Sequence, residues 1–408
     1  MADILTSPDL VIVFAQAMAG LGHLRVTHAL FHGLPKGAHA VLLGTKDTNI
    51  TAIHNLTSQN MLMRRVVQFF ETGAPQDLFT FLYTQWLCSH TKDLRLQLQT
   101  ILDRHPLVPK TILVVATHFG LAHQLAHIKQ AFAAENKIRM MVVVVVTDDA
   151  PFHIWAVPGA DMTVVPSDHT KWALTRYLPG EYIVLPYMVS PRLAVPLSTQ
   201  RYGDRAKQLD SESTTKIHVS LPISGAAVQL HYITKLVRAL SRASDRFLFH
   251  VVSKQTKMTE KFLQAIAAEK NVELITSTHD REVVELYETL YEKETIALEV
   301  TKPSEQAFKA LISPKKIGGS ILLFSDPVGL QEKLNLAFLE RHGLLGPKGR
   351  GMKLPVNAEE SAAFIVSNLQ SGVFASMGTF TSYEKNPGIA DDGVRRFWHL
   401  MRERLSAS

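Results

Sequence analysis

Short apolar runs alternate with amphipathic stretches along nearly the whole chain. In the first half, the runs predict strands at Leu10–Ala15, Ala38–Gly44, Thr111–Ala116, Arg139–Thr147, Met162–Val165 and Tyr182–Leu185. Between them, helical spacing predicts helices at Val26–Leu34, Asn49–Leu56, Asp93–Arg104, Leu121–Asn136 and Asp168–Tyr177. Val142–Val146 is unbroken valine, the pattern of a central parallel strand covered on both faces. Strand–helix alternation of this kind implies a mostly parallel sheet with right-handed crossovers.

The alternation stops between Leu185 and Thr215, where Pro186, Pro191 and Pro196 precede a polar stretch, Ser198 to Lys216, without periodicity. That is linker composition. A second series follows, with strands at Lys216–Leu221, Phe247–Val252, Val272–Ile275, Thr295–Val300 and Ser320–Phe324. Its helices are expected at Leu230–Ser241, Thr259–Lys270, Asp280–Tyr291, Ser304–Leu311, Gln331–His342 and Ala358–Ser371. A last helical pattern, Asp391–Leu405, closes the chain. The expected organisation is a Rossmann-like domain over 1–190, a linker over 191–215, a second Rossmann-like domain over 216–390 and a helix over 391–408. Two such α/β domains joined by one linker would face each other across a cleft suited to two substrates.

Parallel sheets bind ligands at the carboxyl ends of their strands, so the loops after Ala15, Ala116 and Thr147 share one functional edge. The first carries Gly20-Leu21-Gly22-His23, a glycine turn leading into a helix. Glycine allows close backbone approach, the helix N-terminus supplies N–H groups, and histidine accepts a proton near neutral pH. Read blandly, it is a packing turn with a solvated histidine. The second loop begins Thr117-His118, where Thr117 can cap the next helix and leave His118 in solvent. The third, Thr147-Asp148-Asp149-Ala150-Pro151-Phe152-His153-Ile154-Trp155, is more specific. Asp148 or Asp149 can orient a histidine that takes a proton, while His153 and Trp155 can line an acceptor pocket; either aspartate can also simply cap a turn.

In the second half, Thr301-Lys302-Pro303-Ser304-Glu305-Gln306 follows a strand and opens a helix, with Ser304 as the expected N-cap. The helix end suits an anion such as a nucleotide phosphate, and Glu305 or Gln306 can reach ribose hydroxyls. Acidic residues there also simply suit the helix dipole. Gln331, Glu332 and Asn335 form a second polar group, with Gln331 and Asn335 on one helix face.

Composition narrows the chemistry. Of 408 residues, 46% are hydrophobic and 20% charged, a globular balance, and the net charge of +6 is compatible with anionic ligands. The lone Cys88 rules out an intrachain disulfide and a cysteine-rich metal site, and fits a reducing compartment. HExxH, paired CxxC, GxSxG and Walker A patterns are absent, so no metal site is expected. Met1-Ala2-Asp3 carries no basic leader, and no apolar block reaches bilayer length. No basic motif interleaved with aromatics supports nucleic-acid binding.

Together these motifs resemble the GT-B glycosyltransferases, in particular the diacylglycerol galactosyl- and glucosyltransferases and the lipid-linked N-acetylglucosaminyltransferase of peptidoglycan synthesis. The likeness runs in order through Gly20–His23, Thr147-Asp148 with His153 and Trp155, Val165-Pro166-Ser167, the prolines from Pro186 to Pro196, Thr301–Leu311 and Pro327–Asn335. It implies a GT-B fold and inverting transfer from a nucleotide sugar, expected to be a UDP-sugar, to a lipid or other hydroxyl acceptor. His23 would be the base and Asp148 its neighbour in the acceptor site, with Gly22, His118, Asp149, His153 and Trp155 around the acceptor. Ser224, Gly225, Lys302, Ser304, Glu305, Gln306, Gln331, Glu332 and Asn335 would hold the donor, with no metal or other cofactor required. The final helix would cross back to the first domain.

The chain departs from the family where Leu221-Pro222-Ile223-Ser224-Gly225-Ala226-Ala227 has one glycine in place of a glycine-rich loop, and where Pro303 and Ser304 replace glycines. A sugar-nucleotide 2-epimerase using Asp148, Asp149 or Glu305, and a non-catalytic nucleotide-sugar-binding protein, are the alternatives. Met61–Phe70 and Leu78–Leu87 are aromatic and aliphatic, the former with Arg64 and Arg65. Such stripes ordinarily form core helices. By the resemblance they would meet a membrane, making the protein cytoplasmic and peripheral at the inner membrane face.

Overall fold

The computed structural model describes residues 3–17, 21–45, 74–379 and 389–407. Gly20, the expected helix at Asn49–Leu56 and the Met61–Phe70 segment lie outside the described residues. The chain forms two compact units, Met1–Met188 with Asp392–Ser408, and Val189–Asp391.

The first unit holds a six-stranded sheet of β1 (Leu10–Ala17), β2 (Ala40–Thr45), β3 (Thr111–Ala116), β4 (Arg139–Val145), β5 (Met162–Val165) and β6 (Tyr182–Val184), in the order β2-β1-β3-β4-β5-β6. Each described pairing is parallel. Burial of Val142, Val143 and Val144 on both faces explains why β4 reads as continuous valine. The helices are α1 (Leu21–His32), α2 (Ala74–Ser89), α3 (Lys92–Arg104), α4 (Phe119–Asn136) and α5 (Asp168–Tyr177). Register matters most for function: Ala15 pairs with Ala116, and Ala116 with Val144. The register sets Ala15, Ala116 and Val144 level near the carboxyl ends of three adjacent strands.

One boundary differs from expectation in a way that matters. The α1 helix starts at Leu21 instead of Val26, so Gly22 and His23 lie in its first turn and not in a turn before it.

The last helix of the chain, α13 (Gly393–Ser406), packs in this first unit, as the crossing-back helix of the resemblance requires. Trp398 Nε1 donates to the Leu30 carbonyl at 2.9 Å, and its ring meets Phe14 edge-on. A Cβ at Gly393 would collide with the Pro186 and Tyr187 carbonyl oxygens, so only glycine fits the start of this helix. Arg402 pairs with Asp3 at 2.7 Å, which holds the Asp3 carboxyl below its usual range.

The second unit has strands β7 (Ile217–Pro222), β8 (Phe247–Lys254), β9 (Val272–Ser277), β10 (Leu298–Thr301), β11 (Ile321–Phe324) and β12 (Gly351–Lys353), ordered β12-β11-β10-β7-β8-β9. This is the doubly wound order, with its switch point between β7 and β10. The helices are α6 (Thr199–Leu209), α7 (Leu230–Ala243), α8 (Glu260–Ala267), α9 (Asp280–Lys293), α10 (Leu330–Arg341), α11 (Ala358–Gln370) and α12 (Val373–Met377).

The stretch read as linker is therefore partly helix. Ser198 caps α6 by accepting from the Arg201 N–H at 3.2 Å. The buried side of α6 is polar: Arg205 donates to the carbonyls of Pro314, Lys316 and Ile317 at 2.7–2.9 Å, and Gln208 to that of Thr295 at 2.8 Å. A helix anchored by side-chain bonds to carbonyls leaves no apolar period to read. A second difference is that Glu305–Leu311 forms a 3-10 helix, and the Ser304 side chain makes no capping bond there.

Candidate functional site

At the carboxyl edge of the first unit's sheet, several side chains gather around His23. Its Nδ1 lies 2.7 Å from the Thr117 carbonyl oxygen at the end of β3. A carbonyl only accepts, so Nδ1 carries the proton and the lone pair of the neutral ring resides on Nε2. The Thr147 hydroxyl stands 3.3 Å from the same Nδ1 and donates to Asp148 Oδ2 at 3.3 Å. Asp148 thus reaches the histidine through one intervening hydroxyl. The backbone on both sides of this arrangement is held: Thr27 Oγ1 donates to the His23 carbonyl at 2.9 Å and meets Thr117 Oγ1 at 2.7 Å. The Tyr187 hydroxyl donates to the Thr147 carbonyl at 2.9 Å.

An aromatic wall stands beside the imidazole. Ring centroids lie 5.1 Å away for His118, 6.1 Å for Trp155 and 6.4 Å for Phe119, and His118 stacks on Phe119 at 4.6 Å. His118 is buried, contrary to the solvated position that a capping Thr117 would leave it, because Thr117 spends its hydroxyl on Thr27.

Asp149, an acceptor-side candidate, is instead fully buried and accepts from the Thr170 hydroxyl at 2.8 Å and from that of Ser167. Since Ser167 caps α5, Asp149 ties the β4 loop to that helix. His153 stacks on Tyr177 at 3.9 Å, toward α5, while Trp155 turns inward to the His23 group. The structure therefore gathers Gly22, His23, His118, Asp148 and Trp155, and gives Asp149 a supporting position. Sequence reasoning named Thr117 only as a cap and Thr147 only within its loop motif, and it did not single out Phe119 or His123. Burial lowers the pKa of His123, whose Nε2 bonds the Ile154 carbonyl at 2.9 Å, so this histidine stays neutral and structural.

On the second unit, the loop after β7 holds Ser224 and Gly225, both partly exposed. Ala227 and Gln229 adopt positive φ, 50° and 62°, without being glycine. The Gln229 amide explains how: Nε2 donates to the Asp326 carbonyl at 2.8 Å, and Oε1 accepts from the Ser325 hydroxyl at 2.7 Å. This clasp binds the β7 loop to the β11 loop across the end of β10.

Lys302 pairs with Glu332 at 2.6 Å, and Glu332 also accepts from the Val328 N–H at 2.8 Å. Lys302, Glu305 and Gln331 remain at least partly exposed on this edge. Four donor-side candidates are buried, Glu332 among them. Asn335 is buried and donates to the Pro303 carbonyl at 3.3 Å, so it does not share an exposed face with Gln331. Gln306 accepts from Tyr287 at 3.3 Å within a buried network in which Lys309 and both tyrosines, Tyr287 and Tyr291, converge on Glu299. Ser304 is buried as well.

The architecture is matched by solved structures at low sequence identity. MnaA from S. aureus, solved with UDP, superposes with a TM-score of 0.52 at 12% identity, covering 97% of each chain. UDP-GlcNAc 2-epimerase from Neisseria meningitidis, bound to UDP-GlcNAc, gives 0.50 at 11% identity, over 97% of this chain and 99% of that one. No family model and no curated protein matches the chain. The likeness defines the class of fold: two Rossmann-like units of the GT-B type. Among the described residues, no helix is long and apolar enough to cross a membrane.

Proposed function

We propose that the protein is a nucleotide-sugar-dependent transferase in which His23 is the general base. The observation that carries this reading is the Nδ1 bond from His23 to the Thr117 carbonyl, which fixes the tautomer whose basic nitrogen is Nε2. In the reaction, Nε2 takes the hydroxyl proton as the acceptor oxygen attacks the anomeric carbon from the face opposite the diphosphate. The bond from that carbon to the diphosphate oxygen breaks, and the nucleoside diphosphate leaves with inversion. Asp148, acting through Thr147, stabilises the imidazolium that forms. The charge on the departing diphosphate is met by Lys302 and by N–H groups of the Ser224–Gln229 loop, so the reading asks for no metal.

We take the donor to be a UDP-sugar, in keeping with the UDP and UDP-GlcNAc bound in the two structural neighbours. For the acceptor, α2 supplies support: Phe81 and Leu82 are each 58% exposed, and Trp86 38%, so this part of the Leu78–Leu87 stripe is not core. An apolar surface of this kind suits a lipid-linked acceptor and peripheral contact with a membrane. A 2-epimerase would need acidic groups placed for elimination, and Asp149, one of three available, is committed to Ser167 and Thr170.

The test is a panel of UDP-, GDP- and dTDP-sugars, each scored for thermal shift and for release of free nucleotide with a lipid-linked acceptor. A shift and acceptor-dependent release with a UDP-sugar supports the reading. Conversion of UDP-GlcNAc with solvent deuterium entering at C2 would replace it with epimerisation, and the absence of any shift would replace it with a protein that binds none of these donors.

A further inference from the structure

The α1 helix carries a second histidine group, about one and a half to two and a half turns beyond His23, that the proposed transfer does not use. His28 and His32 are four residues apart on one helix face, both partly buried, with their Nε2 atoms 3.2 Å apart. Their ring centroids are only 4.2 Å apart with planes crossing at 63°. The two Nε2 atoms face each other across one hydrogen bond, whose proton a divalent cation would replace. The His218–His250 pair shows the contrast: its nitrogens are 3.0 Å apart, yet its centroids stand 5.1 Å apart with planes 21° from parallel. Both pairs are hydrogen-bonded, but the His28 and His32 rings sit closer and more steeply tilted.

From this geometry we infer that His28 and His32 form a binding site for a divalent transition cation of the Zn²⁺ class. Their 3.2 Å spacing is the bite of two imidazoles on one tetrahedral ion with metal–nitrogen bonds of about 2.0–2.1 Å. Imidazole is a preferred ligand for Zn²⁺, Ni²⁺ and Cu²⁺, and water can complete the coordination. The location favours a cation independently of the ring geometry. His32 lies in the last turn of α1, where the helix carbonyls place a partial negative charge.

The backbone of this turn is held from outside. Trp398 bonds the Leu30 carbonyl, and Phe31 packs on Phe14. The two imidazoles are thus presented on a fixed support, and the entropy lost on binding is small. The site rests on none of the residues assigned to sugar transfer.

Titration of tag-free protein with Zn²⁺, followed by calorimetry and by imidazole NMR, tests the inference. Wild-type protein should bind one ion with a Kd below 100 μM, on the order of the affinity two fixed imidazoles supply. Saturating Zn²⁺ should raise the Tm by about 5 °C. His28→Gln and His32→Gln should each weaken binding by about tenfold or more while leaving the metal-free Tm near that of wild type. Equal binding by both variants would overturn the site, as would no binding by wild type at 100 μM Zn²⁺. Should a variant fail to fold, the wild-type NMR titration decides alone: shifts at His28 and His32 support the site, and shifts confined to other histidines refute it.

Discussion

His23 Nδ1 lies 2.7 Å from the main-chain oxygen of Thr117, so the first residue after β3 sets the tautomer of a side chain in the first turn of α1. The β1–β3 register, with Ala15 opposite Ala116, brings the two together. Because the partner is a backbone carbonyl, no substitution at Thr117 other than one that moves the chain removes the bond.

Thr147→Val keeps the shape of the side chain but breaks the connection from His23 to Asp148. It should lower the His23 pKa, read by imidazole NMR, and reduce kcat by about 3- to 10-fold, the value of one hydrogen bond. Asp148→Asn should lower the same pKa, and the double variant should behave like either single one. Additive shifts would mean that Asp148 acts on His23 without Thr147.

Asp149→Ala should act on stability. It strands the hydroxyls of Ser167 and Thr170 in a buried place and should cost about 2–3 kcal/mol, measured by urea unfolding. Nucleotide-sugar affinity should stay at the wild-type value in the folded fraction.

Gln229→Ala removes the clasp between the β7 and β11 loops and leaves an alanine at φ of 62°. The expected result is a donor KM raised about tenfold with little change in kcat, the signature of lost positioning of the ground state. Gln229→Gly should relieve the backbone strain without restoring the clasp, so it should recover stability and not KM.

Stability of the second unit should fall as the solution is acidified. Burial lowers the pKa of His218 and of His250 below the 6.5 of an unfolded histidine. Glu273, which bonds His250 at 2.8 Å, and Glu294, 3.5 Å from His218, oppose that shift without reversing it. The unfolded chain therefore binds more protons between the folded pKa values and about 6.5, and stability is complete above that window and lost as pH falls through it. Unfolding midpoints measured from pH 8 to 5 should show the loss, and His250→Phe should flatten it.

Much of the fold was legible because it is written in apolar periods. The β3 and β5 strands match their predicted spans to the residue. What was not legible has a common physical cause: it is held by polar side chains meeting main-chain atoms. The α6 helix buries Arg205 and Gln208 against carbonyls, so its inward face looks hydrophilic. The start of α1 was misplaced because glycine at Gly22 signals a turn as readily as a first helical turn. At the site, His23, Asp148 and Trp155 were legible from residue type and strand ends, whereas Thr147 and the Thr117 carbonyl have no signature. Nor do sequence spacings distinguish Asp148 from Asp149; only the hydrogen bonds that Ser167 and Thr170 donate to Asp149 do.

The most direct measurement compares His23→Ala with wild type in sugar transfer and in nucleotide-sugar binding on the same preparations. The account predicts kcat reduced by about 10²- to 10⁴-fold with the donor Kd unchanged within a factor of two. Transfer at the wild-type rate in His23→Ala would remove His23 from the chemistry and contradict the account.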